Sequence, residues 1–62
     1  MNNAQQWLSS EQLAELFGVP LATVRKWRAE GTGPKGVRFG RHVRYSSAAI
    51  DEWVERRTRE SA

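Results

Sequence analysis

Two consecutive stretches near the amino terminus place hydrophobic residues at helical spacing. In "SSEQLAELFG" the apolar positions recur at i, i+3 and i+4, at Leu13, Leu16 and Phe17. In the next stretch, from about Leu21 to Glu30, the inward positions of a helical wheel are Leu21, Val24 and Trp27. Each pattern is typical of an amphipathic helix with one buried stripe, so we predict two helices in succession.

Start and stop residues set the bounds of both predicted helices. Ser9 is a suitable N-cap and Gln12 completes a capping box, so the first helix should begin at Ser10. Gly18 and Gly31 stand where a glycine commonly ends a helix. A tight glycine turn should therefore separate the two helices.

The segment "VRFGRHVRY", Val37 to Tyr45, alternates apolar and polar residues and predicts a β-hairpin. If every apolar side chain faces the core, a three-residue loop at 40–42 pairs Phe39 with Val43 and Val37 with Tyr45. A two-residue loop would mix the faces and is not expected. The solvent face and the tip then carry Arg38, Gly40, Arg41, His42 and Arg44.

A third helix is predicted in "SSAAIDEWVERRTRESA", with Ser46 or Ser47 as its cap. Its buried stripe is expected to comprise Ile50, Trp53 and Val54. The pattern is wholly polar beyond Glu55, so the ordered part of the chain should span about residues 6–57. All three tryptophans lie on apolar stripes and are expected in the core: Trp7, Trp27 and Trp53.

Charge is distributed unevenly along the chain. Residues 1–20 carry two acids and no Lys or Arg, whereas residues 21–45 hold seven cations against Glu30 alone, a local charge of +6. A basic zone of this kind suits a polyanion partner such as nucleic acid, although it can also be a solvated face. On the second predicted helix, Ala22, Arg25, Lys26 and Ala29 face outward, with Thr23 at the flank and Arg28 near the apolar edge.

Composition excludes several classes of function. A chain of 62 residues forms one small domain, residues 1–62, and it has no cysteine and a single histidine. We therefore expect no disulfide, no metal site and no cofactor. No leader, membrane span or nucleophile–base–acid set is recognisable, and "GTGPKG" lacks the context of a phosphate-binding loop. We expect a soluble, cytoplasmic protein that is not an enzyme.

The order helix, glycine turn, basic helix, basic hairpin, helix is that of a winged helix-turn-helix, a mainly α fold with a small β-hairpin. From Trp7 to Val54 the chain resembles the small excisionase and MerR-type DNA-binding family. The matching blocks are "WLSSEQLAELFGVP", "TVRKWRAEG", "VRFGRHVRY" and, more weakly, "AIDEWV". The chain departs from the family at Pro20, which replaces a serine cap, and at Arg28, where an aliphatic residue is usual.

The resemblance implies that the second helix enters the major groove of duplex DNA and that the wing contacts an adjacent minor groove or the backbone. The implied helix contacts are Ala22, Thr23, Arg25, Lys26 and Arg28. The implied wing contacts are Arg38, Gly40, Arg41, His42 and Arg44. Arginine on a guanine edge would supply specificity, whereas arginines on phosphates would supply affinity.

Because the chain ends after one winged unit, the resemblance favours an excisionase, or recombination directionality factor. Such a protein would associate with itself on adjacent sites, bend DNA and direct a tyrosine recombinase, in a bacterial or phage-infected cell and in association with the nucleoid. Two alternatives stay open. One is a stand-alone MerR-like transcriptional regulator, and the other is a protein-interaction module whose basic face docks on an acidic partner.

Overall fold

The computed structural model describes residues 6–61. The elements in chain order are β1 (Trp7–Leu8), α1 (Ser10–Phe17), α2 (Leu21–Glu30), β2 (Gly36–Phe39), β3 (His42–Ser46) and α3 (Ser47–Ser61). Three helices and a small antiparallel sheet confirm the predicted winged helix-turn-helix. In the described part of the chain, no helix has the length and apolar character that a membrane crossing requires.

The predicted bounds of α1 and α2 are confirmed by their caps. The backbone N–H of Gln12 donates to Ser9 Oγ at 3.1 Å, and the Ser9 N–H donates to Gln12 Oε1 at 2.9 Å, which completes the capping box. Gly18 ends α1 with φ of +65° and Gly31 ends α2 with φ of +71°. Pro20 precedes α2 without a side-chain cap, as expected.

The hydrophobic core lies where α1, α2, β3 and α3 meet. Its buried residues form one cluster: Leu13, Ala14, Val24, Tyr45 and Ile50. Leu13, Val24 and Tyr45 are at most 1% exposed. Because Ala14 is small and only 5% exposed, α1 and α2 can cross closely at this point.

Three aromatic rings connect the carboxyl-terminal ends of α1 and α2 to the middle of α3. Trp53 packs against Trp27 with ring centroids 5.0 Å apart and against Phe17 at 5.5 Å. The Trp53 indole N–H donates to the Thr32 carbonyl oxygen at 2.8 Å. This contact ties α3 to the loop that follows α2, and so fixes the end of α2 relative to the rest of the domain.

The predicted burial is wrong at three apolar positions outside the hairpin, and at Val37 and Phe39 within it. Leu16 is 58% exposed, Trp7 46% and Val54 37%. On the helical wheel of α1, Leu16 lies about 100° from the centre of the buried face, and no element of the described chain buries it. Trp7 belongs to the short strand β1, which was not predicted, and its side chain lies on the outer side of the sheet.

The sheet is antiparallel with strand order β1-β3-β2. Trp7 pairs with Ser46 and Leu8 with Tyr45, so β1 covers only the last two residues of β3. The opposite edge of β3 pairs along its length with β2. Strands β2 and β3 together form the wing. Strand β3 thus runs directly into α3, whose first turn is capped by Ser46 Oγ, which accepts from the Ala49 N–H at 3.1 Å.

The predicted three-residue hairpin loop is wrong. Phe39 pairs with His42 and Val37 with Arg44, which leaves the two-residue loop Gly40–Arg41. Gly40 has φ of +64°, and within residues 6–61 no residue other than glycine has positive φ. A glycine at the first position of a two-residue loop suits a type II′ turn.

The shorter loop changes which side chains face the core. Residues directly opposite each other share a face, so Val37 and Phe39 lie with Arg44 and His42 on the outer side of the sheet. Val43 and Tyr45 face inward. Arg38, predicted to share the solvent face with Arg44, instead lies opposite Val43 on the other face.

Gly36 explains why this register is favoured. It lies opposite Tyr45, and a Cβ at this position would come within 2.8 Å of Val43 Cγ1 and 3.0 Å of Tyr45 Cε1. The inner position of β2 is therefore filled by side chains of β3 rather than by its own. Because Gly36 occupies this inner position, the next residue, Val37, and also Phe39 lie on the outer face.

Gly36→Ala is expected to destabilise the fold by about 1–2 kcal/mol, because the added methyl group collides with two side chains of the inner face. At this chain length the loss corresponds to a decrease in melting temperature of roughly 4–15 °C. Thermal unfolding followed by circular dichroism measures it. Val37→Ala, one residue along, is the control and should cost less, since its side chain is 45% exposed. Equal stability of Gly36→Ala and the unmodified chain would contradict the assigned register.

Helix α3 continues to Ser61, beyond the predicted limit of residue 57. Two ion pairs at i, i+4 spacing line its exposed end, Arg56–Glu52 at 3.8 Å and Arg59–Glu55 at 3.7 Å. The Arg57 guanidinium also lies 5.4 Å from the centre of the Trp53 ring. These local contacts support helical structure that a purely apolar criterion misses.

Candidate nucleic-acid interface

Helix α2 presents a small and basic face to solvent. Ala22, Arg25, Lys26 and Ala29 are exposed, and Thr23 is half-buried at the flank, as the helical wheel predicts. Val24 anchors the opposite face at 1% exposure. Because short alanine side chains separate long cationic ones, the helix backbone can approach a groove while Arg25 and Lys26 extend to its sides and floor.

A cleft separates α2 from the wing, and we call it the basic cleft. Its lining residues are Ser10, Glu11, Arg25, Arg28, Arg41, His42, Val43 and Arg44. The cleft exists because β1 pairs with β3 only at Tyr45 and Ser46. The same edge of β3 is therefore unpaired from His42 to Arg44, and this stretch forms the wing side of the cleft.

Two hydrogen bonds hold wing arginines against their own backbone. Arg38 Nε donates to the Gly40 carbonyl oxygen at 3.2 Å, and Arg44 Nη1 donates to the Val43 carbonyl oxygen at 2.8 Å. Both acceptors are neutral carbonyl oxygens, so neither hydrogen bond pairs the guanidinium with a carboxylate. Both arginines retain further N–H donors that can bind an anion.

The positive charge of the cleft is not neutralised by the protein. Within residues 6–61 both ion pairs lie in α3, far along the chain from the wing. Residues 31–50 contain four cations, Lys35, Arg38, Arg41 and Arg44, and no carboxylate. Glu11 is the single acid in the lining of the cleft, against four arginines. The cleft is therefore an electropositive concavity suited to a polyanion.

The structure brings together five of the ten predicted DNA contacts. Arg25 and Arg28 of α2 face Arg41, His42 and Arg44 of the wing across the basic cleft. The other five lie outside the lining. Ala22, Thr23 and Lys26 lie on α2, and Arg38 and Gly40 lie on the wing. Arg28 has an exposed side chain and lines the cleft, so its charged head is available to a ligand.

Comparison with protein families adds an independent finding. The family model described as a helix-turn-helix domain matches residues 7–58. The chain belongs to this helix-turn-helix family. A search of curated proteins gives no significant match. Membership of the helix-turn-helix family implies that the partner is double-stranded DNA.

Three residues that line the cleft were not predicted as contacts: Val43, which was expected to face the core, and two residues of α1, Ser10 and Glu11. The two from α1 were not expected near the site at all. Ser10 and Glu11 form the first turn of α1, where backbone N–H groups have no partner within the helix. The signal was present in the sequence, because the capping box fixes where α1 begins. What the sequence did not supply was the position of this turn beside β3.

The helix-turn-helix domain can contact a duplex with two different parts, helix α2 and the wing. A helix of this width fits the major groove, which is about 12 Å wide and displays a distinct pattern of donors and acceptors for each base pair. The wing lies across the cleft and ends in a two-residue tip carrying Arg41. The arrangement can thus bring cations to neighbouring grooves at the same time.

Proposed function

We propose that the chain is a sequence-specific duplex-binding protein that recognises bases with α2 and holds the backbone with the wing, and that it acts by binding rather than by catalysis. The observation that carries the proposal is the basic cleft. It gathers Arg25 and Arg28 with Arg41 and Arg44, and none of the four forms an ion pair with a carboxylate of residues 6–61.

Helix α2 supplies the specificity in this proposal. Arg25 is exposed on the helix and can donate two parallel hydrogen bonds to the O6 and N7 atoms of guanine. Lys26 lies on the same exposed side and Thr23 lies at its flank, and both add contacts with base edges or flanking phosphates. Ala22 permits close approach of the helix to the groove.

The wing supplies affinity. Arg38, Arg41 and Arg44 bind phosphates, and the tip carries Arg41 toward the adjacent minor groove, whose narrow A·T-rich form attracts arginine. Gly40 and His42 flank Arg41, and Gly40 narrows the tip because it has no side chain. Contacts to phosphates carry little information about sequence, so the wing strengthens binding to every duplex.

We further propose that the biological role is that of an excisionase, a recombination directionality factor. The family includes excisionase-like proteins, and four sequence blocks resemble the small excisionases. The chain would bind adjacent sites cooperatively, bend the DNA between them and direct a tyrosine recombinase toward excision. A bend is consistent with a helix and a wing that act on neighbouring grooves, because closing both onto a duplex deforms it.

Selection of bound duplexes from a random pool, followed by footprinting of the native locus, tests both levels of the proposal. A defined sequence logo is expected if α2 recognises bases. Closely spaced direct repeats and an added bend in a circular-permutation gel assay are expected of an excisionase. A single palindromic site would instead indicate a transcriptional regulator, and failure to enrich any sequence would overturn specific binding.

Salt titration gives a further prediction. If about five phosphates are neutralised, the logarithm of the affinity for duplex should fall with the logarithm of salt concentration at a slope of roughly −4 to −5. Arg41→Ala should reduce that slope by about one unit, because one phosphate contact is removed. Fluorescence anisotropy with a selected duplex measures both slopes. A slope near zero, or no binding at low salt, would contradict phosphate anchoring by the wing.

A further inference from the structure

An apolar patch on the wing takes no part in the basic cleft. Trp7, Val37 and Phe39 are 46%, 45% and 51% exposed, and none of them lines the cleft. The register places all three on the outer side of the sheet, and the Trp7 and Phe39 rings meet edge to face with centroids 5.4 Å apart. We call these three residues the wing face. Two exposed aromatic rings and a valine side by side are typical of a protein contact.

The charge around the wing face restricts what can cover it. Residues 31–50 carry four cations and no carboxylate. Two wing faces packed against each other would bring these cations together, so pairing of like faces is unfavourable. A suitable occupant combines an apolar side chain with negative charge.

The same chain carries such a surface on α1. Leu16 is the most exposed large hydrophobic residue of the described chain, at 58%, and its neighbour Glu15 is exposed as well. Residues 6–20 contain two carboxylates and no Lys or Arg. We call Glu15 and Leu16 the α1 ridge. Neither lines the basic cleft, and none of the residues of the ridge or the wing face is among the proposed DNA contacts.

We propose that the wing face of one copy docks on the α1 ridge of a second copy bound to an adjacent site. The inference rests on the proposed duplex binding, which brings the two copies together. Because the two surfaces differ, the contact is heterologous, and each pair leaves one wing face and one ridge available to further copies. Charge complementarity sets the order of the copies along the duplex.

The contact should act chiefly on DNA. A few side chains on each copy bury far less than the roughly 1,200 Å² of a stable interface. Adjacent sites on one duplex raise the effective concentration to about the millimolar range, where a weak contact becomes significant. The chain is thus expected to be monomeric at micromolar concentration and to associate on tandem sites.

Binding to duplexes with one or two copies of a selected site, about 10 base pairs apart, tests the proposal. The unmodified chain should bind the two-site duplex cooperatively, by about tenfold or more. Phe39→Ser and Leu16→Ser should each abolish the cooperativity and leave the affinity for one site within about twofold. Val54→Ser, a change of an exposed apolar residue on α3, is the control and should keep the cooperativity.

The decisive experiment repeats the measurement on the two-site duplex with an equimolar mixture of Phe39→Ser and Leu16→Ser chains. The Leu16→Ser copy still has its wing face and the Phe39→Ser copy still has its ridge, so the mixture should recover cooperativity. A mixture no better than either variant alone would overturn the proposal. So would a loss of single-site affinity in Phe39→Ser equal to its two-site loss, because the wing face would then contact DNA.

Chemical cross-linking tests the contact without relying on duplex binding. The chain has no cysteine, so Leu16→Cys and Phe39→Cys each introduce one thiol. A short bifunctional thiol reagent should link the two variants to each other at millimolar concentration, and at far lower concentration on a two-site duplex. Predominant links between identical variants would overturn the proposal. If no duplex is bound at all, the proposed function fails, and the millimolar cross-linking still decides the contact.

Discussion

Trp53→Ala is expected to unfold most of the protein at room temperature, with a loss of about 3–5 kcal/mol in the free energy of unfolding. A domain of this length has a total stability on the order of 3–9 kcal/mol. Trp53 is only 7% exposed and contacts both Phe17 and Trp27. The substitution also removes the donor to the Thr32 carbonyl oxygen. The end of α2, which carries Arg28, would lose its attachment to α3.

Trp7→Ala is the matched control for Trp53→Ala, because it removes the same side chain from the outer side of the sheet. Trp7 is 46% exposed and keeps one edge contact, with Phe39, so the expected loss is about 1 kcal/mol. Urea denaturation of both variants measures the difference. Similar losses in the two variants would contradict the assignment of Trp53 to the core and Trp7 to the surface.

Local signals in the sequence predicted the helices well. The Ser9–Gln12 capping box and the glycines after α1 and α2 depend on hydrogen bonds and backbone angles within a few residues. Such interactions need no knowledge of the rest of the fold. The bounds of α1 and α2 were therefore predictable to the residue.

The wing register was not predictable from the alternation of apolar residues alone. That alternation fits two registers that differ by one residue, and the choice depends on what fills the inner position of β2. Only the packed structure shows that Val43 and Tyr45 occupy the space beside Gly36. Gly40 was a usable signal for a two-residue loop, but it was outweighed by the assumption that every apolar residue is buried.

The candidate site was predictable in composition and only partly in geometry. The cations of α2 and the wing stand out in the sequence, and four arginines among them line one cleft. The position of the α1 amino terminus in the same cleft depends on the short strand β1, whose two residues are too few for a periodic pattern. The wing register and the position of the α1 amino terminus both depend on contacts between residues that are not neighbours in the sequence.

Arg25→Ala and Arg41→Ala are expected to impair DNA binding in different ways. Loss of Arg25 removes a base contact, so affinity for the selected site should fall by about 5- to 150-fold while preference at one base position disappears. Loss of Arg41 removes a phosphate contact, so affinity should fall by a similar factor for selected and unrelated duplexes alike. Sequence selection repeated with each variant, together with anisotropy on matched and unrelated duplexes, measures both effects.

Arg59→Ala removes the same charge from a place outside the cleft and provides the control. Arg59 lies on α3 within 3.7 Å of Glu55, and both side chains are about two-thirds exposed or more. Its loss should change affinity by less than about threefold, because a surface cation already beside a carboxylate contributes little to the field over the cleft. If Arg59→Ala weakens binding as much as Arg41→Ala, net charge rather than the position of the wing governs affinity. An unchanged sequence logo for Arg25→Ala would move base recognition away from Arg25, and Lys26 on the same exposed face of α2 would be the next residue to test.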